Sequence, residues 1–272
     1  MAARFEGRVA VVTGAQRGLG AVFAMRLAEE GAKVLCADIA PCDDTVAALR
    51  EAGFTAASAI GDVQARDGAQ AIADAALAAF GGIDILVNNA ALYGGIAIGG
   101  FEDIDEAEWD RMMSVNVKGV WQMVRVVTPH MRAAGYGRIV NISSNVIFMG
   151  KQGFLHYVAS KGAVWAMTGA LSRELAGTGI TVNGVAPGYT LTAATRNMST
   201  PEVVARLEER IIDSQSVKRL IEPRDGRSVA AKLKQALRAL QIERRLSKNE
   251  ILELYLTLAP YGGNLEGVRA AS

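Results

Sequence analysis

The chain has two cysteines, almost no net charge and no long uncharged apolar run, and each shortage removes a class of function. Cys36 and Cys42 are the only thiols. Their spacing fits neither a zinc site nor a C-x-x-C redox pair, so no metal is expected. Lysine and arginine (29) offset aspartate and glutamate (28), leaving a net charge of +1. That balance favours no polyanion, and a nucleic-acid partner is not expected. No apolar stretch reaches the roughly 20 residues that a bilayer-spanning helix needs, which argues against a membrane role. The opening MAARFEGRVAVVTG carries charge where a signal peptide would be apolar and has no cleavage site after it. A reducing cytoplasm is the simplest location for such a chain.

What is present is an alternation of short apolar runs with longer alanine-rich segments. RVAVVTG, AKVLCAD, IDILVNNA, GRIVNISS and ITVNGVAPG are apolar throughout, as expected of strands buried on both faces of a parallel sheet. Between them, segments such as GAVFAMRLAEEG and AQAIADAALAAFGG have helical composition and end at glycine. The series reads as repeated βαβ units, so the expected fold is α/β, a doubly wound parallel sheet. At 272 residues, one domain can form around a single sheet. Ligands of such sheets bind outside the carboxyl ends of the strands, where strand order reverses.

TGAQRGLG, Thr13 to Gly20, lies at such a strand end and opens a helix. Gly14 suits a tight turn, Gly18 lets the backbone approach a pyrophosphate, and Gly20 permits close packing of a helix whose N-terminus favours an anion. The spacing departs by one residue from G-x-G-x-x-G, so the loop alone is weak evidence. Asp38 at the end of the second strand strengthens it, because an acid at that distance meets the adenosine ribose hydroxyls. Asp38 would repel a 2′-phosphate, which favours NAD over NADP. Arg17, beside the loop, pulls toward NADP, although it reads more simply as a solvated surface charge.

In LHYVASK, residues 155–161, Tyr157 and Lys161 are four apart and share one face if the segment is helical. A free tyrosine titrates near pH ~10, so acting as a base near neutrality requires about 4 kcal/mol of help. An ammonium on the same face, Lys161, can supply part of it.

Together TGAQRGLG, NNAA at 88–91, Asn116, ISS at 142–144, YVASK at 157–161, and Pro187 with Gly188 resemble the short-chain dehydrogenase/reductase family, in order and spacing, to about Asp225. The resemblance implies a nicotinamide-dependent oxidoreductase acting on a small alcohol or carbonyl compound, with a homotetramer or homodimer as its usual assembly. It assigns proton exchange to Tyr157, support to Lys161, and a hydrogen bond with the substrate oxygen to Ser144. Asn116 is implied to hold a water that connects the lysine to solvent. Cofactor contacts are implied for Gly14, Arg17, Gly18, Leu19, Gly20, Asp38, Asp62, Val63, Asn89, Tyr157, Lys161, Pro187, Gly188, Thr190 and Thr192. The substrate pocket falls among Val146, Phe148, Phe154, His156 and Tyr189, which suits an apolar or aromatic alcohol or ketone. One departure is Ala91, where the family usually has glycine. A dinucleotide-binding protein without turnover is the alternative, against which Ser144, Tyr157 and Lys161 all argue.

From about residue 226 the resemblance changes. The segment KLKQALRALQIERRLSKNEILELYLTLAPYGGNLEGVRAAS resembles a fragment of the peptidoglycan glycosyltransferase domain of penicillin-binding proteins. The expected boundary is therefore an oxidoreductase domain over 1–225 and a helical tail over 226–272. Leu233, Leu237, Leu240 and Ile242 fall near helical spacing, and Ser247 is placed to cap a second helix over Glu250. The first catalytic glutamate of that family lies in a motif this chain does not carry, and Gln235 stands where a second one is usual. The tail also takes the place of the dehydrogenase family's last strand, which would leave a sheet edge uncovered unless the helices pack over it.

Overall fold

The computed structural model describes residues 3–96, 98–190, 192, 205, 208 and 209. The expected domain boundary at 225, the tail helices and the replaced last strand all lie outside these residues.

Six strands form one parallel sheet in the order β3-β2-β1-β4-β5-β6: β1 (Val9–Thr13), β2 (Lys33–Asp38), β3 (Ala56–Ile60), β4 (Ile85–Asn88), β5 (Gly137–Ile142) and β6 (Ile180–Val185). The chain walks outward from β1 to β3 and then returns to the other side of β1 to lay down β4. Strand order therefore reverses between β1 and β4, and a crevice opens there at the carboxyl ends. Every residue of β1 and of β4 is buried, which accounts for their unbroken apolar runs. Five of the six strands match the expected runs. The sixth, β3 (AASAI), is an edge strand with one face exposed, so it carries no such run.

The helices are α1 (Gly18–Glu29), α2 (Asp43–Glu51), α3 (Arg66–Phe80), α4 (Glu106–Met113), α5 (Gly119–Ala133), α6 (Val146–Met149) and α7 (Leu155–Glu174). α3 stops at Gly81, whose φ of 81° lets its N–H bond back to Leu77 O at 2.8 Å. One face of the sheet, with Val11, Leu35, Leu86 and Ile139, packs against Ile72 and Ala76 of α3 and Met123 and Val127 of α5. Burying each large aliphatic side chain contributes about 1.5 to 3 kcal/mol, so this layer holds the strand ends in register. Between α4 and α5 a single π-helical turn, Ser114–Lys118, interrupts the helical run and carries Asn116. No helix among the described residues is long and apolar enough to cross a membrane. No cluster of three or more metal-binding side chains occurs among them either.

Candidate active site

The glycine loop joins β1 to α1 at the switch point. Gly14 and Gly18 take φ of 65° and 63°, where a side chain would be strained. A Cβ on Gly20 would lie 2.0 Å from Gly14 O, so only glycine lets α1 start this close to the strand. A Cβ on Gly18 would meet nothing within 4 Å, which leaves an open cradle beside the first turn of α1. Arg17, at the N-cap, is exposed and makes no capping side-chain bond, so the first N–H groups of α1 are not covered by a side chain. That cradle fits a dinucleotide pyrophosphate.

Neighbouring residues hold the loop from both sides. Asn89 donates through Nδ2 to Thr13 O (3.0 Å) and Gly14 O (3.1 Å), while Thr13 Oγ1 accepts from the N–H groups of Asn89 and Ala90. Asp38 ends β2, where its carboxylate accepts from Gln16 N at 3.2 Å and Ile39 N at 2.8 Å. Thr45 of α2 was not foreseen: its hydroxyl reaches Ala15 O at 3.0 Å and Gln16 O at 2.9 Å. Asp62 and Val63 follow β3, next to the end of β2. Asp62 is exposed and accepts from Gln64 N, and Val63 is buried. Leu19 is half-buried in the first turn of α1.

On the other side of the crevice, Pro187 O accepts from Asn145 N at 2.9 Å, tying the loop after β6 to the loop after β5. Thr190 is buried and donates to Gly188 O at 3.1 Å; Thr192 is half-buried.

Tyr157, Ser160 and Lys161 are buried on one face of α7, so the predicted shared face is real. Lys161 Nζ donates to Ile142 O at 2.9 Å, and Lys161 O accepts from Ser143 Oγ at 2.9 Å, which gives Ser143 a structural place. Burial pushes the Lys161 ammonium down to about 8. The Tyr157 phenol moves well above its ordinary value, first because it is buried and second because Tyr93 lies beside it; a side-chain hydrogen bond with Ser144 pulls it back. The expectation that Lys161 lowers the tyrosine in the free protein therefore meets a stronger opposing effect. The ammonium sits 5.8 Å from the ring centroid and is itself desolvated, and the resting phenol stays protonated.

Asn116 is 1% exposed and its side chain is engaged throughout. Oδ1 accepts from Leu92 N at 2.7 Å, and Nδ2 donates to Leu92 O at 3.2 Å and Ser160 Oγ at 3.1 Å. The π turn thus joins the segment after β4 to α7, a placement in keeping with the frequency of such turns at functional sites.

Around the phenol lies an apolar cluster of Met112, Phe154 and Tyr157, with Leu92, Tyr93, Ile96, Val146 and Val158 packed against it. The Tyr93 and Tyr157 rings are 5.1 Å apart, and burial with Tyr189 nearby pushes the Tyr93 phenol up to about 12. Of the expected pocket residues, Val146 and Phe154 belong to this cluster and Tyr189 reaches its edge. Phe148 is 66% exposed and stacks edge-on against Trp165, 5.5 Å away. His156 is 1% exposed and turns to Glu108 on α4. Leu92, Tyr93 and Ile96 were missed, although their place just after NNAA at the end of β4 marked them as crevice residues.

Comparison with known proteins agrees with this geometry. The family model described as short chain dehydrogenase matches residues 8–203, and a second, Transglycosylase, matches residues 184–272. A cis-4-hydroxycyclohexanecarboxylate dehydrogenase of Sinomonas cyclohexanicum is 41% identical over 190 residues, covering 70% of this chain and 76% of that protein. The crystal structure of NAD+-bound xylitol dehydrogenase superposes with a TM-score of 0.75 at 31% identity, over 84% of this chain and 92% of that one. Levodione reductase superposes with a TM-score of 0.79 at 30% identity, over 86% and 92%. A match across most of the chain, a sheet in the same family's fold, and the glycine loop and YVASK face at its switch point make one case: the chain belongs to the short chain dehydrogenase family of NAD(P)-dependent oxidoreductases.

Proposed function

We propose that this protein interconverts a secondary alcohol and its ketone, with NAD as the preferred cofactor and an apolar, cyclic or aromatic body on the substrate. The observation that carries the reading is Tyr157 set in an apolar cluster, with buried Lys161 one turn further along the same face of α7. Bound nicotinamide supplies the hydride acceptor or donor and, when oxidised, a positive charge. The glycine loop with Gly14, Gly18, Leu19 and Gly20 would hold the pyrophosphate; Asp38, Asp62 and Val63 would hold the adenosine end; Asn89 shapes the loop; and Pro187, Gly188, Thr190 and Thr192 would hold the carboxamide end.

In carbonyl reduction the Tyr157 hydroxyl gives its proton to the substrate oxygen as hydride reaches the carbon, and Ser144 Oγ hydrogen-bonds that oxygen. Burial keeps the resting phenol in its protonated form, the form that this donor role starts from. In alcohol oxidation the same oxygen takes the hydroxyl proton as hydride leaves. Lys161, brought to about 8, titrates close enough to neutrality to return a proton to the tyrosine. Asn116 ties the tyrosine's helix to the segment after β4 through Ser160 and Leu92.

Two features support the substrate class. The phenol is surrounded by Leu92, Tyr93, Ile96, Val146 and Phe154. The Sinomonas relative's name specifies a hydroxycyclohexanecarboxylate, a cyclic secondary alcohol. The Asp38 carboxylate, at the end of β2, supports NAD ahead of NADP. Turnover of NAD with a panel of secondary alcohols, half of them cyclic or aromatic and half polyols, tests the proposal. Activity concentrated on the apolar members is expected, and NAD binding without turnover of any member would favour the non-catalytic alternative.

A further inference from the structure

The geometry points to a positioning pair behind the tyrosine: Glu108 of α4 and His156 of α7 clamp the first turn of α7 and so hold Tyr157 in line for proton transfer. This rests on the catalytic reading of Tyr157 given above.

Tyr157 stands in the first turn of α7, where a helix has the least support of its own, because the leading N–H groups have no intrahelical partner. This start is poorly furnished. Phe154 at the N-cap offers no side-chain bond, and the preceding Gly153 has φ 79°. A capping side chain is typically worth about 1 kcal/mol, and that support is missing here.

His156 supplies a substitute. Its Nε2 lies 2.9 Å from Glu108 Oε1, and the ring is buried. A carboxylate only accepts, so Nε2 carries the hydrogen and donates it. Nδ1 has no hydrogen-bond partner among the described residues, which leaves this contact as the ring's polar anchor. Glu108 is fixed in turn, since Asp105 caps α4 by accepting from Ala107 N at 2.8 Å and Glu108 N at 3.2 Å. A continuous line of contacts therefore runs from the α4 cap through Glu108 and His156 to the residue next to Tyr157.

The following turn of α7 has holds of its own, and Ser160 Oγ also reaches back to donate to Tyr157 O at 2.8 Å. Ser160 accepts from Asn116, and Lys161 is fixed to Ile142 O and Ser143 Oγ. Releasing the clamp therefore loosens the side of the opening turn that faces α4 and leaves Lys161 and the cofactor loops in place.

Glu108 is the residue to change, because its side chain is 30% exposed and tolerates substitution better than the buried ring. Glu108→Ala removes the acceptor, whereas Glu108→Gln keeps an oxygen for the Nε2 hydrogen. We expect Glu108→Ala to lower kcat about tenfold, with KM and the Kd for NAD within about twofold, and Glu108→Gln to recover most of the loss. Hydrogen exchange on the free protein, read by mass spectrometry, should quicken over residues 154–159 in Glu108→Ala and stay unchanged over β5. A Glu108→Ala protein with unchanged kcat, a loss that glutamine does not restore, or unchanged exchange over 154–159 would each overturn the clamp. Tyr157→Phe assayed alongside separates the two claims. If it is inactive while Glu108→Ala is fully active, only the clamp falls; if it turns over normally, the catalytic reading falls and the exchange result still judges the clamp.

Discussion

Replacing Lys161 by methionine is expected to stabilise the free protein below pH 8 and to destabilise it above pH 10.5. Lys161 is 3% exposed, and its Nζ donates to a neutral partner, Ile142 O. Burial brings its ammonium from 10.5 to about 8, while the unfolded chain keeps the ordinary value. Between those two pH values the unfolded state binds more protons, so stability rises with pH. The burial cost is therefore absent above 10.5, grows as pH falls, and is complete below 8. A displacement of that size corresponds to about 3 kcal/mol. Methionine removes the charge, but leaves Ile142 O without its donor, which costs about 1 to 2 kcal/mol. The net expectation is a gain of about 1 to 2 kcal/mol at pH 7, a few degrees in Tm, and a loss of about 1 to 2 kcal/mol at the alkaline end. Urea unfolding of both proteins at pH 7 and near pH 10.5, followed by tryptophan fluorescence, measures it. Equal destabilisation at both pH values would refute the reasoning, because the buried charge would then carry no cost.

Asp38→Ala should shrink the preference for NAD over NADP, read by titrating both cofactors into both proteins; an NADP preference in the unmutated chain would mean that Arg17 dominates. Gly20→Ala places a methyl 2.0 Å from Gly14 O, so isothermal titration should show NAD binding weakened more than about tenfold. Burial, helped by Cys42, pushes the Cys36 thiol up to about 12, and burial with Asp38 and Asp43 takes Cys42 to about 11. Neither should be alkylated by iodoacetamide at pH 8 in the native protein, and both should react once it is unfolded, as counted by mass spectrometry.

What could be read from the sequence was local or repetitive. Tyr157 and Lys161 share a face because four residues make about one helical turn, and TGAQRGLG gives its turn away through glycines that nothing larger can replace. β3 escaped notice because AASAI, an edge strand, has the alanine-rich composition of the neighbouring helices. His156 was placed in the pocket by adjacency to Tyr157, but one step along a helix turns about 100°, and its ring faces α4 instead. Tyr93 and Ile96 join the site through the return of the chain after β4, and the π turn around Asn116 follows from tertiary contacts with Leu92 and Ser160. No periodicity marks either one. The direction of the Tyr157 displacement likewise depends on how completely the surrounding cluster excludes water, which only the folded arrangement shows.

The central claim is that the Tyr157 hydroxyl moves the proton while other residues hold the cofactor. Tyr157→Phe deletes that oxygen and keeps the ring in its apolar cluster, so the fold and the cradle at Gly18 are preserved. Hydride transfer followed by nicotinamide absorbance, with NAD affinity measured on the same protein, is the direct test. The account predicts a loss of at least about 100-fold in turnover with the Kd for NAD within about twofold. Turnover comparable to that of the unmutated protein would contradict it.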